Sequence, residues 1–537
     1  MSIKLYPEFF NDVFGPISNP GSSSHMSGPC RAGHIAYSML GEDVSDIKIV
    51  LDSHGSFSDG FGQMNEDIGM LNGAYGNLPD SEGFFDIKNT LKKEGITYGF
   101  EHVDLKGSKH PNAMKFVLTG RSGRTVTMIS NSTGGGMIEI VSVNGLNFAG
   151  KGDTWTILVF TDNTDTENNR VEEQIISRYN VLSEGVSEEH TEGEDAEANN
   201  LLWFGTDQRP DRDELIRTLG TEKVYILSPI LPVITTKNKK PQKYSSVREW
   251  RRIAEEEGKS LYETAVEYEV DASGWSGEEV TDYMRNVVGK ALYRRINALY
   301  EDPSLLVVNP FRTIYHKEWE KISENSHLVN GITGRAIHYM HSAQAQMRDV
   351  LDVPGPMSNG AGYLFSVLMA VKEEYDLPEE ALYRGLFVAA SFGAIAYTQT
   401  EPTGEIIGCA GECGVCAAMT AAAIVEMLNG TSEQIENAAS FTLQAAIGWP
   451  CDPIPGGQGT PCTARTLFIV SMPQVYAQWA MMGAACTVPF DEVLKTADSV
   501  GRDLSDDLLC TCRGGLCATD SGKKCAALFK KSREGAS

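Results

Sequence analysis

The first 150 residues mix two periods of apolar and polar positions. Asp46–Asp52, Phe116–Leu118, Thr125–Ser130 and Ile138–Val143 alternate as half-buried strands do, and His34–Leu40 repeats as a helix. Residues 151–240 have a rhythm of their own. Strand Thr154–Thr161 leads to helix Asn169–Tyr179, two strands follow around the acidic linker Ser187–Ala198, and helix Asp211–Leu219 leads to strand Lys223–Leu227. That order, β-α-β-β-α-β, predicts a ferredoxin-like unit. From Lys240 onward the pattern is helical: Ser246–Gly258, Leu261–Tyr268, Gly277–Leu299, Gly334–Asp349, Gly360–Glu374, Pro378–Ala396, Ala417–Leu428, Ser432–Ala446 and Leu467–Met482. Several of these are Ala-rich and nearly uncharged, as buried helices are. The expected fold is multidomain: an α+β N-terminal domain over 1–150, a ferredoxin-like domain over 151–240 and an all-α catalytic domain over 241–537.

Composition narrows the function classes. The chain has 537 residues, 41% hydrophobic and 22% charged, as in ordinary globular proteins. Its net charge of −26 disfavours nucleic acid and anionic membrane as partners, because both demand cationic patches. No uninterrupted apolar run approaches the roughly 20 residues of a membrane span, and Met1–Glu8 has no signal-peptide character. A cytoplasmic location with reduced thiols is expected. The 11 cysteines are unevenly placed: Cys30 stands alone, and the other ten lie between Cys409 and Cys525. An odd number in a reducing compartment argues against a disulfide framework.

Five of those cysteines fall in two Gly- and Pro-rich loops, Gly408–Cys416 and Cys451–Cys462. Thiolates on turns can converge on one point, which suits a soft metal centre, iron–sulfur or zinc. Cys409, Cys413 and Cys416 have the spacing of the radical S-adenosylmethionine motif. That motif precedes a βα barrel, whereas here only 121 residues remain and they begin as an Ala-rich helix. Zinc knuckles on short hairpins are absent from the pattern as well. Near the N-terminus, Ser22, Ser23 and Ser24 precede a predicted helix start, where hydroxyls and backbone N–H groups can bind an anion, with His25 and Arg31 nearby in sequence. A plain serine cap, or a cloning remnant, would read the same locally. Gly134-Gly135-Gly136 allows either close backbone approach to a ligand or a bulged turn.

Taken together these segments resemble the bacterial iron–sulfur-dependent L-serine dehydratases with both halves fused in one chain. The matching residues are Gly408-Cys409-Ala410-Gly411-Glu412, Cys451-Asp452-Pro453 through Pro461-Cys462, Ser22-Ser23-Ser24-His25 with Gly28-Pro29 and Arg31-Ala32-Gly33, His110-Pro111-Asn112, Gly134-Gly135-Gly136 and Arg513-Gly514-Gly515-Leu516. The resemblance implies a [4Fe–4S] cluster held by Cys409, Cys451 and Cys462, with one iron open toward loops of the N-terminal domain. It makes 151–240 an ACT-like domain. It implies His25 and His110 as catalytic residues, and Ser22, Ser23, Ser24, Asn112, Gly134 and Gly135 as substrate-binding. Cys413 and Cys416 are expected as helix-start packing residues, and Cys517 or Cys525 as the tail thiol approaching the open iron. The implied reaction is loss of water, then ammonia, from a small amino or hydroxy acid in a homodimer without pyridoxal phosphate. Departures at Gln63, Met64, Arg348 and Met357 leave the substrate open. A cysteine desulfidase and a cluster-bearing ligand sensor are the competing expectations.

Overall fold

The computed structural model describes residues 6–534 except 60, 63, 163–164, 308–313, 323–327, 348, 356–359 and 455–460. Gln63, Arg348, Met357 and the middle of the second cysteine loop therefore lie outside the described residues. The chain forms two compact units. Among the described residues, one comprises 23–241 and the other 6–22 with 242–534. Residues 6–22, which the sequence reading places in 1–150, belong to the helical unit.

The first unit holds two sheets. Strands β1 (Val44–Asp52), β2 (Thr97–Val103), β3 (Ala113–Gly120), β4 (Thr125–Gly134), β5 (Met137–Val143) and β6 (Leu146–Gly150) form a mixed sheet in the order β2-β1-β3-β4-β5-β6. Only the β1–β2 pair is parallel. Helices Gly28–Leu40 and Glu66–Tyr75 pack together at very short range: a Cβ on Gly73 would lie 1.9 Å from the Cys30 carbonyl oxygen, and one on Gly33 2.7 Å from the Ala74 nitrogen. The first of these helices starts six residues before the predicted His34. Pro29 at its first turn suits a helix start, but Gly28 and Gly33 read as loop in the sequence.

Strands β7 (Trp155–Thr161), β8 (Val181–Ser187), β9 (Asn200–Thr206) and β10 (Val224–Leu227) form an antiparallel sheet in the order β10-β7-β9-β8. Alternation divides its side chains. Ile157, Val159, Leu202 and Phe204 pack with Val171, Ile175, Leu215 and Leu219 of helices Asp165–Ile176 and Arg212–Leu219. Leu158, Phe160, Leu201 and Tyr225 join the core of the six-stranded sheet.

The second unit is helical. Helix Val415–Met427 is buried along its whole length, and Gly360–Glu374, Glu379–Gln399, Ser432–Gln444 and Pro461–Met481 pack against it. The stretch Ala410–Met427 is long and apolar enough to cross a membrane, yet 94% of it is buried inside the protein. Serine and threonine caps account for several helix starts: Ser246, Ser260, Ser276 and Thr431 each accept the backbone N–H three residues on.

Candidate metal centre and polar site

The thiol centre is built by backbone geometry before side-chain chemistry. Gly408 has φ +69°, and a Cβ there would strike the Trp449 carbonyl oxygen at 2.3 Å, so only glycine lets the first loop approach this closely. The Cys409 N–H donates to that same carbonyl, at 2.9 Å. Cys451 is held from the other side: its N–H donates to Leu508 O (2.8 Å), and its carbonyl accepts from Cys510 N (2.7 Å). Ala410–Gly414 forms a π-helical turn, which widens the spacing so that the Cys409 and Cys413 sulfurs stand 3.7 Å apart.

These thiols are electrostatically unequal. Cys409 is held well below the usual thiol range by the Cys413 and Cys451 thiols beside it, and further by the Arg465 guanidinium. Arg465 donates to Cys409 Sγ at 3.6 Å and to Asp452 Oδ1 at 2.9 Å. Cys413 and Cys451 are both raised, chiefly because each donates to the Cys409 thiolate. Glu412, whose carboxylate lies within 4.8 Å of both Cys409 and Cys451, is pushed well above the carboxylate range by burial, then by Glu405 and Cys409. Asp452 Oδ2 accepts the Leu516 N–H at 2.9 Å, and a Cβ on Gly515 would strike that carboxylate at 2.5 Å. The Arg513–Leu516 motif thus closes on the Cys-Asp-Pro loop.

Cys409 and Cys451 come together as expected. Cys462, half-buried in the first turn of helix Pro461–Met481, bears electrostatically on Cys413. Cys416 behaves as a packing residue: its thiol donates to Gly360 O at 3.3 Å, and burial raises it to about 12. Cys413 instead contacts Cys409. Among the tail thiols, Cys510 is the one on Cys451, at φ +63°, whereas Cys517 donates to Pro453 O. Cys525 is half-buried in helix Asp520–Glu534. The sequence offered one missed signal, the Cys510-Thr511-Cys512 pair ahead of the Arg-Gly-Gly-Leu motif. Buried thiols with an adjacent guanidinium are a donor set that suits an anionic iron–sulfur cluster, through Cys409, Cys451 and Cys462.

The first unit gathers the polar residues. Ser23–Ser27 is a buried π-helical turn before helix Gly28–Leu40; Ser22, half-buried, is instead the last residue of the 6–22 segment that belongs to the second unit. The His25 ring is fully enclosed, with Nδ1 3.0 Å from Ser24 Oγ and Nε2 3.5 Å from Ser56 Oγ, edge-on to Phe57. Ser56 Oγ also donates to Asn112 Oδ1, and Asn112 Nδ2 donates to Ser132 O at 3.3 Å. Ser132 Oγ closes the ring on Ser24 O at 2.7 Å. His110 sits at the margin, its Nδ1 accepting the Asn112 N–H at 3.0 Å. Gly134, Gly135 and Gly136 all have positive φ, and buried Arg31 donates to the Gly136 carbonyl. His25, Asn112 and Ser24 are therefore joined in one network that also takes in Ser56, and the glycine turn follows Ser132 on β4. Ser56 follows β1 in a Gly-Ser-Phe turn whose hydroxyl role periodicity alone does not reveal.

Comparison with known proteins identifies the family. The family profile described as "Serine dehydratase alpha chain" matches residues 235–517. The L-serine dehydratase alpha chain of Peptoniphilus asaccharolyticus is 28% identical over 290 residues, covering 53% of this chain and 98% of that one. A probable L-serine dehydratase alpha chain of Latilactobacillus sakei is 33% identical over 167 residues, covering 31% and 80%. The L-serine dehydratase beta chain of Peptoniphilus asaccharolyticus is 32% identical over 148 residues, covering 28% and 66%. The chain belongs to the serine dehydratase alpha chain family.

Proposed function

We propose that the chain is an iron–sulfur-dependent lyase that removes water, and then ammonia, from L-serine or a related small β-hydroxy amino acid to give a 2-oxo acid. The observation that carries this reading is the meeting of Cys409 and Cys451, from two loops 42 residues apart in sequence, in a buried nest beside Arg465. Cys409, Cys451 and Cys462 would hold a [4Fe–4S] cluster, which supplies Lewis acidity toward a departing hydroxyl.

The chain's own residues do the rest. Ser22, Ser23, Ser24, Asn112 and the Gly134-Gly135 backbone bind the substrate's carboxylate and polar groups. His25 holds a proton between the Ser24 and Ser56 hydroxyls and can pass it along that line, and His110 serves the same exchange from the margin. Release of the enamine, its conversion to imine and hydrolysis need no further group. The β-α-β-β-α-β sheet of 151–240 supports a ferredoxin-like, ACT-like domain that binds a regulatory ligand. A cytoplasmic homodimer completes the proposal.

The test is anaerobic reconstitution with iron and sulfide followed by assay with L-serine, L-threonine and L-cysteine. Pyruvate from serine without sulfide from cysteine is expected. Sulfide release from cysteine would move the reading to a desulfidase, and an intact cluster with no turnover would move it to a sensor. Cys409→Ala, Cys451→Ala and Cys462→Ala should each fail to retain the full iron complement, and retention in all three would remove the ligand assignment.

A further inference from the structure

We propose that a cavity between the two sheets of the first unit binds a small α-amino acid with an apolar side chain, its ammonium group held by Asp153 and its carboxylate by Lys151. This gives a place and a chemistry to the regulatory ligand of 151–240, and for any effect on turnover it rests on that reading.

The strand pattern opens the space. Leu158, Phe160, Leu201 and Tyr225 fill the face of the four-stranded sheet that joins the core of the six-stranded one. At one end of that face the same alternation carries Thr156 on β7 and Ser183 on β8, hydroxyls where apolar side chains would close the gap. Gly185 and Gly205 add no side chain there: a Cβ on Gly205 would lie 2.4 Å from Ser183 Oγ, and one on Gly185 2.6 Å from the Trp203 indole. Glycine inside a strand often marks a bulge or a close approach, and the register of β8 on β9 shifts here, between Val181 and Ser183. The result is a cavity of about 220 Å³, walled by Phe148 from β6 and Trp203 from β9. That is below the roughly 300–1,000 Å³ of pockets for drug-sized ligands, so its occupant is small.

The charges select the ligand. Asp153 lines the cavity and is only 8% exposed. Its carboxylate accepts the Thr235 hydroxyl at 2.7 Å and its carbonyl the Thr235 N–H at 2.8 Å, and among the described residues it has no ion-pair partner. A buried carboxylate without a cation is costly, and a bound ammonium group removes that cost. Trp203 and Phe148, edge to face with centroids 5.8 Å apart, offer ring faces to a cation and a wall to an apolar side chain. Lys151, exposed on the same lining, supplies the charge for a carboxylate, which favours an amino acid over a simple amine. Helices Asp165–Ile176 and Arg212–Leu219 cover the opposite face of the four-stranded sheet, so the cavity lies on the face turned away from them.

The experiment titrates the full chain by calorimetry with L-valine, L-leucine and L-phenylalanine. The corresponding amines (isobutylamine, isopentylamine and phenethylamine) lack the carboxylate, and 4-methylpentanoate lacks the ammonium group. At least one of the amino acids should bind, its amine more weakly, and 4-methylpentanoate not at all. Asp153→Asn, which keeps an acceptor for Thr235, should weaken the amino acid about tenfold or more. Lys151→Ala should weaken the amino acid and leave the amine unchanged. Ser183→Leu, which fills the cavity and keeps both charges, is the second variant and should abolish binding, with circular dichroism showing that it folds. Binding of none of the three amino acids, or undiminished binding by either Asp153→Asn or Ser183→Leu, overturns the proposal. An amine that binds as tightly as its amino acid overturns the role of Lys151 and makes the ligand a simple amine. Turnover of L-serine by the reconstituted enzyme is read separately. Binding as stated with turnover unchanged leaves the site standing and removes the regulatory reading, whereas a change in turnover that persists in Ser183→Leu overturns this site as its source.

Discussion

Glu66 shows how one residue's setting decides its state. It is fully buried at the start of helix Glu66–Tyr75, with Oε2 accepting the Met64 N–H at 2.9 Å. Burial, followed by backbone hydrogen bonds that oppose it and by Asp67, leaves its carboxyl raised from 4.5 to about 8. The folded state therefore keeps a proton that the unfolded state loses above pH 4.5. Its contribution to stability is complete below that pH and disappears as pH rises through 8. Glu66→Gln keeps the shape and the acceptor but has no proton to lose. Denaturant midpoints should be nearly equal at pH 4, and at pH 8.5 the variant should be the more stable by at least about 1 kcal/mol. No reading of hydrophobic period reveals this, because the shift comes from neighbours brought in by folding. The same holds for Cys413: its place in the sequence reads as a helix-start packing residue, and only the π-turn sets it on Cys409.

At the scale of elements, the crossing of helices Gly28–Leu40 and Glu66–Tyr75 positions the turn that carries His25. Gly33 and Gly73 make that crossing possible, since a Cβ at either would fall on the partner helix's backbone at 2.7 Å or less, and Gly69 lets the turn Ser23–Ser27 approach, since a Cβ there would lie 2.3 Å from the Met26 carbonyl oxygen. Gly73→Ala should lower stability by more than about 2 kcal/mol in denaturant unfolding, through overpacking against unyielding backbone. Gly99→Ala on the edge strand β2, where a Cβ would meet nothing within 4 Å, should stay within about 0.5 kcal/mol of wild type. The strand β2 itself escaped the sequence reading because Gly99 weakens a strand pattern, and every residue of it but Phe100 is exposed. Strands with one buried face, such as β3 and β4, were readable for the opposite reason.

At the scale of the whole molecule, chain order and structural grouping part company at the N-terminus. Phe9 stacks on Tyr268 with centroids 5.1 Å apart, Phe10 packs on Tyr283 at 4.6 Å, and Ser18 and Asp352 exchange backbone hydrogen bonds of 2.9 and 2.7 Å. Phe9, Phe10 and Phe14 are all buried, each contributing about 2 kcal/mol by removal from water. Deleting residues 6–18 should therefore lower the melting temperature of the helical unit by about 10 °C or more, followed by circular dichroism at 222 nm. A melt unchanged by the deletion would mean that these residues add nothing to the unit's stability.

The sequence by itself determined the helical character of the C-terminal half, the β-α-β-β-α-β order of 151–240, the concentration of thiols in two loops and the family. Each of these follows from local period, turn chemistry or motif order, which a linear chain displays. Only the tertiary structure decided which thiols touch, that Arg465 and Glu412 stand beside them, that Ser56 joins His25 and Asn112, and that residues 6–22 complete the helical unit. Those facts depend on contacts between residues far apart along the chain, where packing and desolvation rather than period decide the outcome.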